Sequence, residues 1–383
     1  MREDVAVLVV DGVVREVSTS RAAVSGSPDV EHIDLGEVLL APAFVDAHAH
    51  LELSGMRGRV PAGASFDDWI RKVIRARSER TASEIEDDTR HGVRRLLATG
   101  TTLVGDIDSS GAIALASRGT PLCVRRFREA LDAGDTARTA SVVNRVRTAD
   151  VERERFCEGL SPHAPYTVSA ELWRALGDVA REREWPVAIH FAETREEGEW
   201  LEHARGPLSS ILAHSPRTSG LDAIERAGLL NPRTVLVHGN HATPAERERI
   251  RASGAGVVHC PGTHQFFGRE PFDAEAWLRL GVPLALGTDS LASNDDLDMG
   301  RELALFAASH PTIAPEQSFA AATSSGAALL GLAGKYGEIR IGAQADFNTF
   351  DVGRARGKDA LETLVRGAAR LHETYASGCL VRL

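Results

Sequence analysis

A chain of 383 residues, 43% hydrophobic and 26% charged, has the composition of a soluble globular α/β protein and is long enough for one large domain with an appendage or for several ordinary ones. Its net charge of −10 argues against a nucleic-acid or anionic-membrane partner. The four cysteines, Cys123, Cys157, Cys260 and Cys379, show no CxxC spacing, which points away from a disulfide framework or a thiolate zinc site and toward a reducing cytoplasm.

The N-terminal MREDVAVLVVDGVVREV holds an apolar stretch of six residues bounded by Asp4 and Asp11, too short and too acidic for a signal peptide. No segment approaches the roughly 18 to 20 apolar residues of a transmembrane helix, so a cytoplasmic protein is expected. Within that first stretch Asp11-Gly12 reads as a turn between two β-rich runs. The C-terminal GEIRIGAQADFNTFD and GCLVRL also read as strands. Each end alone is a marginal hairpin, so 1–40 and 337–383 are expected to fold together as one small sheet in a discontinuous β-domain around 41–336.

From Phe44 onward, eight short β-prone runs occur in order: FVDAHAH, TTLVGD, LCVRRFRE, CEGLSP, VAIHFAE, TVLVHG, AGVVHC and PLALGTD. Segments of helical periodicity separate them, among them a stretch from Phe66 to Ala98 and a shorter one from Ala170 to Arg183. That alternation predicts a parallel sheet closed into a (β/α)8 barrel. An open doubly wound sheet is the competitor, but there a glycine-rich phosphate loop is the usual end of the first strand. Here the first strand ends in His48 and His50.

Residues two apart on a strand share a face, so both imidazoles can reach one ion. In a barrel the strand C-termini meet at one mouth. Strands four to eight end in Ser161 and His163, His190 and Glu193, His238 and His241, His259, and Asp289. Three imidazoles and a carboxylate, His48, His50, His190 and Asp289, make a ligand set for Zn2+ or Fe2+ that leaves a position for water. The ion would lower the pKa of that water and supply a hydroxide nucleophile. Glu193, three residues past a ligand, is then the proton shuttle. His238 suits hydrogen bonding to the nucleophile better than ligation, and Asp289 shares the water's proton as well as binding metal.

The segments AFVDAHAHLELS, LSPHAPYTVS, VAIHFAETREEGEW, VLVHGNHA, VVHCPGTHQFFG, LALGTDSLASN and GEIRIGAQADFNTFD together resemble the amidohydrolase superfamily, in its branch of metal-dependent deaminases and chlorohydrolases. The resemblance spans essentially the whole chain. It implies a TIM barrel with a flanking β-sandwich from both termini, one catalytic metal with Zn2+ foremost, and hydrolytic loss of ammonia or another small group from a heterocycle. It also implies substrate contacts for Glu52 and His163, with Asn294 a further candidate for reading ring nitrogens. The HLELS and THQFFG segments lean toward deaminases of adenosine-like nucleosides such as aminodeoxyfutalosine.

Two features refine the resemblance. Dinuclear members carry a carboxylated lysine at the end of the fourth strand, whereas the lysines here are Lys72, Lys335 and Lys358, all elsewhere, which favours a mononuclear site. Many relatives have arginine where Gly262 stands, so an anionic substrate group held at that point is in doubt. The expected partner is a small heterocyclic substrate, with neither nucleic acid nor membrane, and a homodimer is the assembly considered.

Plainer roles stand beside these. Asp289 and Ser290 can cap the next helix, Glu52 can make a structural salt bridge, and His241, His259 and His264 can be supporting residues rather than ligands. Arg128 and Glu129 are either substrate contacts or solvated rim charges. Phe266 and Phe267 are either substrate wall or core, and Cys260 reads as small buried packing. Dechlorination of a triazine, hydrolysis of a cyclic amide, and a non-catalytic scaffold are the competing functions.

Overall fold

The computed structural model describes residues 3–19, 30–63, 65–148, 153–213 and 215–383. Strands β1 (Ala6–Val10) and β2 (Val13–Ser18) form a hairpin whose two turn residues, Asp11 and Gly12, have φ of 52° and 74°. Positive φ at both positions matches the right-handed twist of the flanking strands. β3 (Leu39–Pro42) leads directly into β4 (Phe44–Ala49), the first strand of the central sheet.

That sheet continues through β5 (Thr101–Asp108), β6 (Cys123–Ala130), β7 (Phe156–Pro162), β8 (Val187–Phe191), β9 (Thr234–His238), β10 (Gly256–His259) and β11 (Leu284–Leu286). All neighbours are parallel and follow chain order. Each of the eight expected runs is one of these strands. The circle closes at the C-terminal end, where the Asp289 amide donates to the His48 carbonyl (2.9 Å) and the His50 amide donates to the Asp289 carbonyl (3.1 Å). The fold is thus the (β/α)8 barrel expected, and the seam between first and last strands runs through three of the candidate ligands.

The barrel interior is filled from below. Val45, Ala47, Leu103, Phe127, Val235 and Val258 pack with Ala327, Leu330 and Tyr336 from the segment that follows the last strand. Buried on both faces, the strands carry near-continuous apolar runs. The helical stretch expected from Phe66 to Ala98 is two helices, Phe66–Ser78 and Ala82–Ala98. The break is a capping box: Thr81 Oγ1 accepts from the Glu84 amide while the Glu84 carboxylate accepts from the Thr81 amide, stabilising a fresh start there. The helix from Ala170 to Arg183 lies where expected.

The terminal β-structure differs from the single sheet expected. β3 joins β12 (Phe347–Asp351), β13 (Arg370–Ala376) and β14 (Cys379–Leu380) in a four-stranded antiparallel sheet, and the β1–β2 hairpin is a separate pair. The two are tied by the Val14 amide to the Ala343 carbonyl (2.9 Å) and the Ala345 amide to the Gly12 carbonyl (2.8 Å). Val14, Ala345, Phe347 and Tyr375 make their shared core, so two layers cover one apolar face between them. The boundary expected at residue 40 falls inside β3. Phe350, Leu364 and Val365 pack into the main barrel cluster, so terminal segment and barrel share buried surface. Among the described residues no helix is long and apolar enough to cross a membrane.

Candidate metal centre and its mouth

His48 is 1% exposed, and neither of its ring nitrogens has a hydrogen-bond partner among the described residues. A buried polar atom without a partner costs about 1–3 kcal/mol, so the ring is suited to hold a bound group. Around it, the His50 and His190 Nε2 atoms lie 3.2 Å apart. Asp289 Oδ1 is 3.6 Å from His48 Nε2 and 3.7 Å from His50 Nε2. One ligand atom each from His48, His50 and His190 lie within 4.8 Å of one another, and the same holds for His48, His238 and Asp289. Such a cluster of imidazole nitrogens with one carboxylate fits a single divalent cation.

Protonation agrees with that fit. Burial first, then the neighbouring imidazoles, holds the His48 and His50 rings well below the usual histidine range. Burial does the same for His238. Neutral rings are the form that ligates. His190 is oriented by its Nδ1, 2.8 Å from the His163 carbonyl, which leaves Nε2 with the lone pair. Two of the residues are held under strain: His238 has φ of 74° and Asp289 of 60°, left-handed conformations that a non-glycine side chain adopts at a cost.

Glu193 sits just past β8 with its Oε2 3.8 Å from His238 Nε2. Its backbone is pinned on both sides. The Ala192 and Glu193 amides donate to the Glu197 carboxylate (3.0 and 2.9 Å), and the Glu193 carbonyl accepts from Asn240 Nδ2 (3.0 Å). Its Oε1 accepts from Arg269 at 2.6 Å. Burial pushes the Glu197 carboxyl up to about 8.

The three substrate candidates lie in different settings. His163 is on the mouth, its Nδ1 2.8 Å from Thr167 Oγ1 and its Nε2 without a protein partner among the described residues. Glu52 is buried and engaged: Ser109 Oγ donates to it at 2.6 Å, the Ser110 amide at 2.9 Å, and Arg77 pairs with it at 3.1 Å. Asn294 is 4% exposed. Its Nδ2 donates to the Thr288 carbonyl and to Glu302 (both 2.8 Å), and its Oδ1 accepts from Arg301 (2.8 Å), so its amide is committed within the protein.

This network also explains Gly262. Its amide donates to Glu302 at 2.6 Å, and a Cβ there would collide with both Asn294 Oδ1 and Glu302 Oε1. No side chain as large as arginine fits at that point.

The remaining residues separate by strand alternation. Arg128 turns to the outer barrel face and pairs with Glu158 at 3.0 Å in a buried network with Arg126 and Asp108. Glu129, one residue on, faces inward toward Glu52, and burial raises its carboxyl to about 7. The His259 ring stacks on Phe272 with centroids 4.0 Å apart, and His264 Nε2 is 2.5 Å from the Glu270 carbonyl. His241 lines a cavity of about 330 Å³ with Phe66, Phe267, Arg195, Arg269 and Glu270. Cys260 is fully buried and its thiol is pushed up by that burial, in keeping with packing.

Several residues now at the centre are not evident in the sequence pattern. Asp46, fully buried, accepts from Thr288 Oγ1 (2.5 Å), the Thr288 amide (3.1 Å) and the His48 amide (3.2 Å), bracing the seam. Its place two residues before His48 on one strand face is a signal for it; Arg269 and Glu302 carry none.

Comparison with known proteins identifies the family. The Amidohydrolase family matches residues 39–377. A 5-methylthioadenosine/S-adenosylhomocysteine deaminase of Nitratidesulfovibrio vulgaris is 29% identical over 369 residues, covering 91% of this chain and 80% of the relative. An aminodeoxyfutalosine deaminase of Nitratiruptor is 30% identical over 338 residues, covering 84% and 81%. Among solved structures, a zinc-bound adenosine deaminase from Xanthomonas campestris superposes with a TM-score of 0.82 at 24% identity, over 99% of this chain and 88% of that one, which speaks to the fold.

Proposed function

Because this chain belongs to the amidohydrolase family, we propose that it is a one-metal deaminase acting on an amino-substituted purine or pyrimidine, with adenosine-like nucleosides foremost. Its expected ion is Zn2+, with Fe2+ the alternative. The observation that carries this reading is the convergence of His48, His50, His190 and Asp289 in one barrel mouth with Glu193 3.8 Å from His238. Two deaminases among the curated relatives support the choice of leaving group. We take 41–336 as the catalytic barrel, with the segments before and after it forming the small β-domain.

A divalent cation held by these residues would supply acidified water as a nucleophile near neutral pH. Everything else falls to the chain. His48, His50, His190 and Asp289 would hold the cation. Glu193 takes a proton at Oε2, the oxygen facing His238, and delivers it to the departing amino nitrogen. His238 Nε2 supplies a hydrogen bond to the oxygen that adds to the ring. His163 Nε2, free at the mouth, meets a ring nitrogen of the substrate. Glu52 faces the same mouth but is already braced by Ser109, Ser110 and Arg77, so it meets substrate as a fixed acceptor. Asn294 acts from behind, holding Thr288 and Glu302.

The test is ammonia release by zinc-reconstituted protein from a panel of aminated purines, pyrimidines, pterins and their nucleosides. Turnover of an adenosine-like member is expected. Loss of chloride from a triazine with no ammonia from any panel member would overturn it.

A further inference from the structure

We infer that Arg269 is the positioning residue for Glu193, an assignment that rests on the proton-shuttle role proposed above. Glu193 has three side-chain torsions, and a proton can be passed efficiently only from one arrangement of its carboxylate. Arg269 takes Oε1 at 2.6 Å and leaves Oε2 turned toward His238 at 3.8 Å. The two oxygens are thereby given different tasks.

The guanidinium is itself fixed. It stacks over Phe267 at 4.5 Å from the ring centroid and lies 5.9 Å from Phe66. Phe66 and Phe267 pack with Trp69 in one aromatic wall, their rings 5.2 to 6.0 Å apart. Phe66 opens the helix Phe66–Ser78 after β4 and Phe267 caps the C-terminus of a short helix after β10, so two segments distant in the chain hold one cation. The Arg269 and Glu193 side chains are 10% and 9% exposed. An ion pair this far from water is screened little, and the planar guanidinium holds direction as well as charge. Arg269 also lines the 330 Å³ cavity beside the mouth, so its other face meets whatever fills that space.

The experiment compares wild type with Arg269→Ala, Arg269→Gln and Arg269→Lys as metal-loaded full-length proteins, on the best substrate of the ammonia panel. Ala and Gln are expected to lower kcat by about 10- to 100-fold, the scale of a misplaced catalytic group, with KM within about twofold. Lys should restore part of the loss. In a Glu193→Gln background, Arg269→Ala should have little further effect, because the two act as a unit. A raised KM with kcat intact, or equal losses in both backgrounds, overturns the assignment. Metal content and Tm of each variant separate these outcomes from misfolding, and the Gln variant keeps the test open should Ala fail to fold.

A crystal structure of the Arg269→Ala metal-loaded protein needs no substrate. Glu193 should there leave the arrangement with Oε2 toward His238; an unchanged, well-ordered carboxylate overturns the inference. A wild type that releases ammonia from no panel member counts against the deaminase reading alone, since the crystallographic result still decides the Arg269 relationship.

Discussion

The Nε2 atoms of His50 and His190 face each other across 3.2 Å, although the residues are 140 positions apart in the chain. With Nδ1 of His190 committed to the His163 carbonyl at 2.8 Å, the facing nitrogens are the ones left to share an ion. His190→Ala is therefore expected to lower bound metal well below one ion per chain. Elemental analysis of purified variant and wild type checks this, and an unchanged stoichiometry would count against His190 as a ligand.

Glu193→Gln should keep the metal and the fold while losing about 10²-fold or more in kcat, since the amide cannot move a proton. Steady-state rates on the same metal-loaded preparations test it. Wild-type turnover in this variant would remove Glu193 from the mechanism.

Asp46 accepts from the amides of both His48 and Thr288 and so ties the first strand to the last. Asp46→Ala leaves buried donors without partners and should destabilise the protein by about 2 kcal/mol or more. Urea unfolding of the metal-free protein measures this directly, and a change within error would show that the seam does not depend on it.

At position 262 the prediction is steric. A Cβ at Gly262 overlaps Asn294 and Glu302, so Gly262→Ala should cost about 1–3 kcal/mol as the network is forced apart. A Tm equal to wild type would mean that Glu302 relaxes freely, against its 0% exposure and its bonds to Gly262 and Asn294.

Acid stability should report on His163. Burial lowers its ring to about 3 from an ordinary 6.5, so below pH 6.5 the unfolded chain takes up a proton that the folded one refuses. Its contribution is whole above pH 6.5 and is lost as the pH falls from there toward 3. A single ring exchanges at most one proton between the two states, so a slope of about 1.4 kcal/mol per pH unit is a ceiling. Metal-free His163→Gln should lose stability less steeply than wild type between pH 6.5 and 5; parallel curves would refute the role of burial.

The barrel was legible because its strands are buried on both faces and so carry short apolar runs, such as LVG in TTLVGD and VLV in TVLVHG, each followed by a polar group. His48, His50, His190, His238 and Asp289 stood out for the same reason. The long helix from Phe66 to Ala98 hid a break, since periodicity runs on through Thr81 and only the capping box reveals the restart. Terminal strands pair across more than 300 residues, as Leu40 does with Thr349, so neither end shows which sheet it joins.

The sequence by itself determined the strand order and the residue types at the strand ends, because alternation and polarity are local properties; burial in the closed barrel is what holds the His48, His50 and His238 rings neutral. Tertiary structure alone decided which acceptors were already spoken for. Asn294 stands near the mouth in sequence, yet its amide is spent on Thr288, Glu302 and Arg301. Arg269 stands among loop residues with no pattern, yet it holds Glu193 at 2.6 Å. The Arg269–Glu193 bond joins segments 76 residues apart, and the Asn294 bonds span 6 to 8 residues past the last strand; both geometries exist only once the barrel has closed.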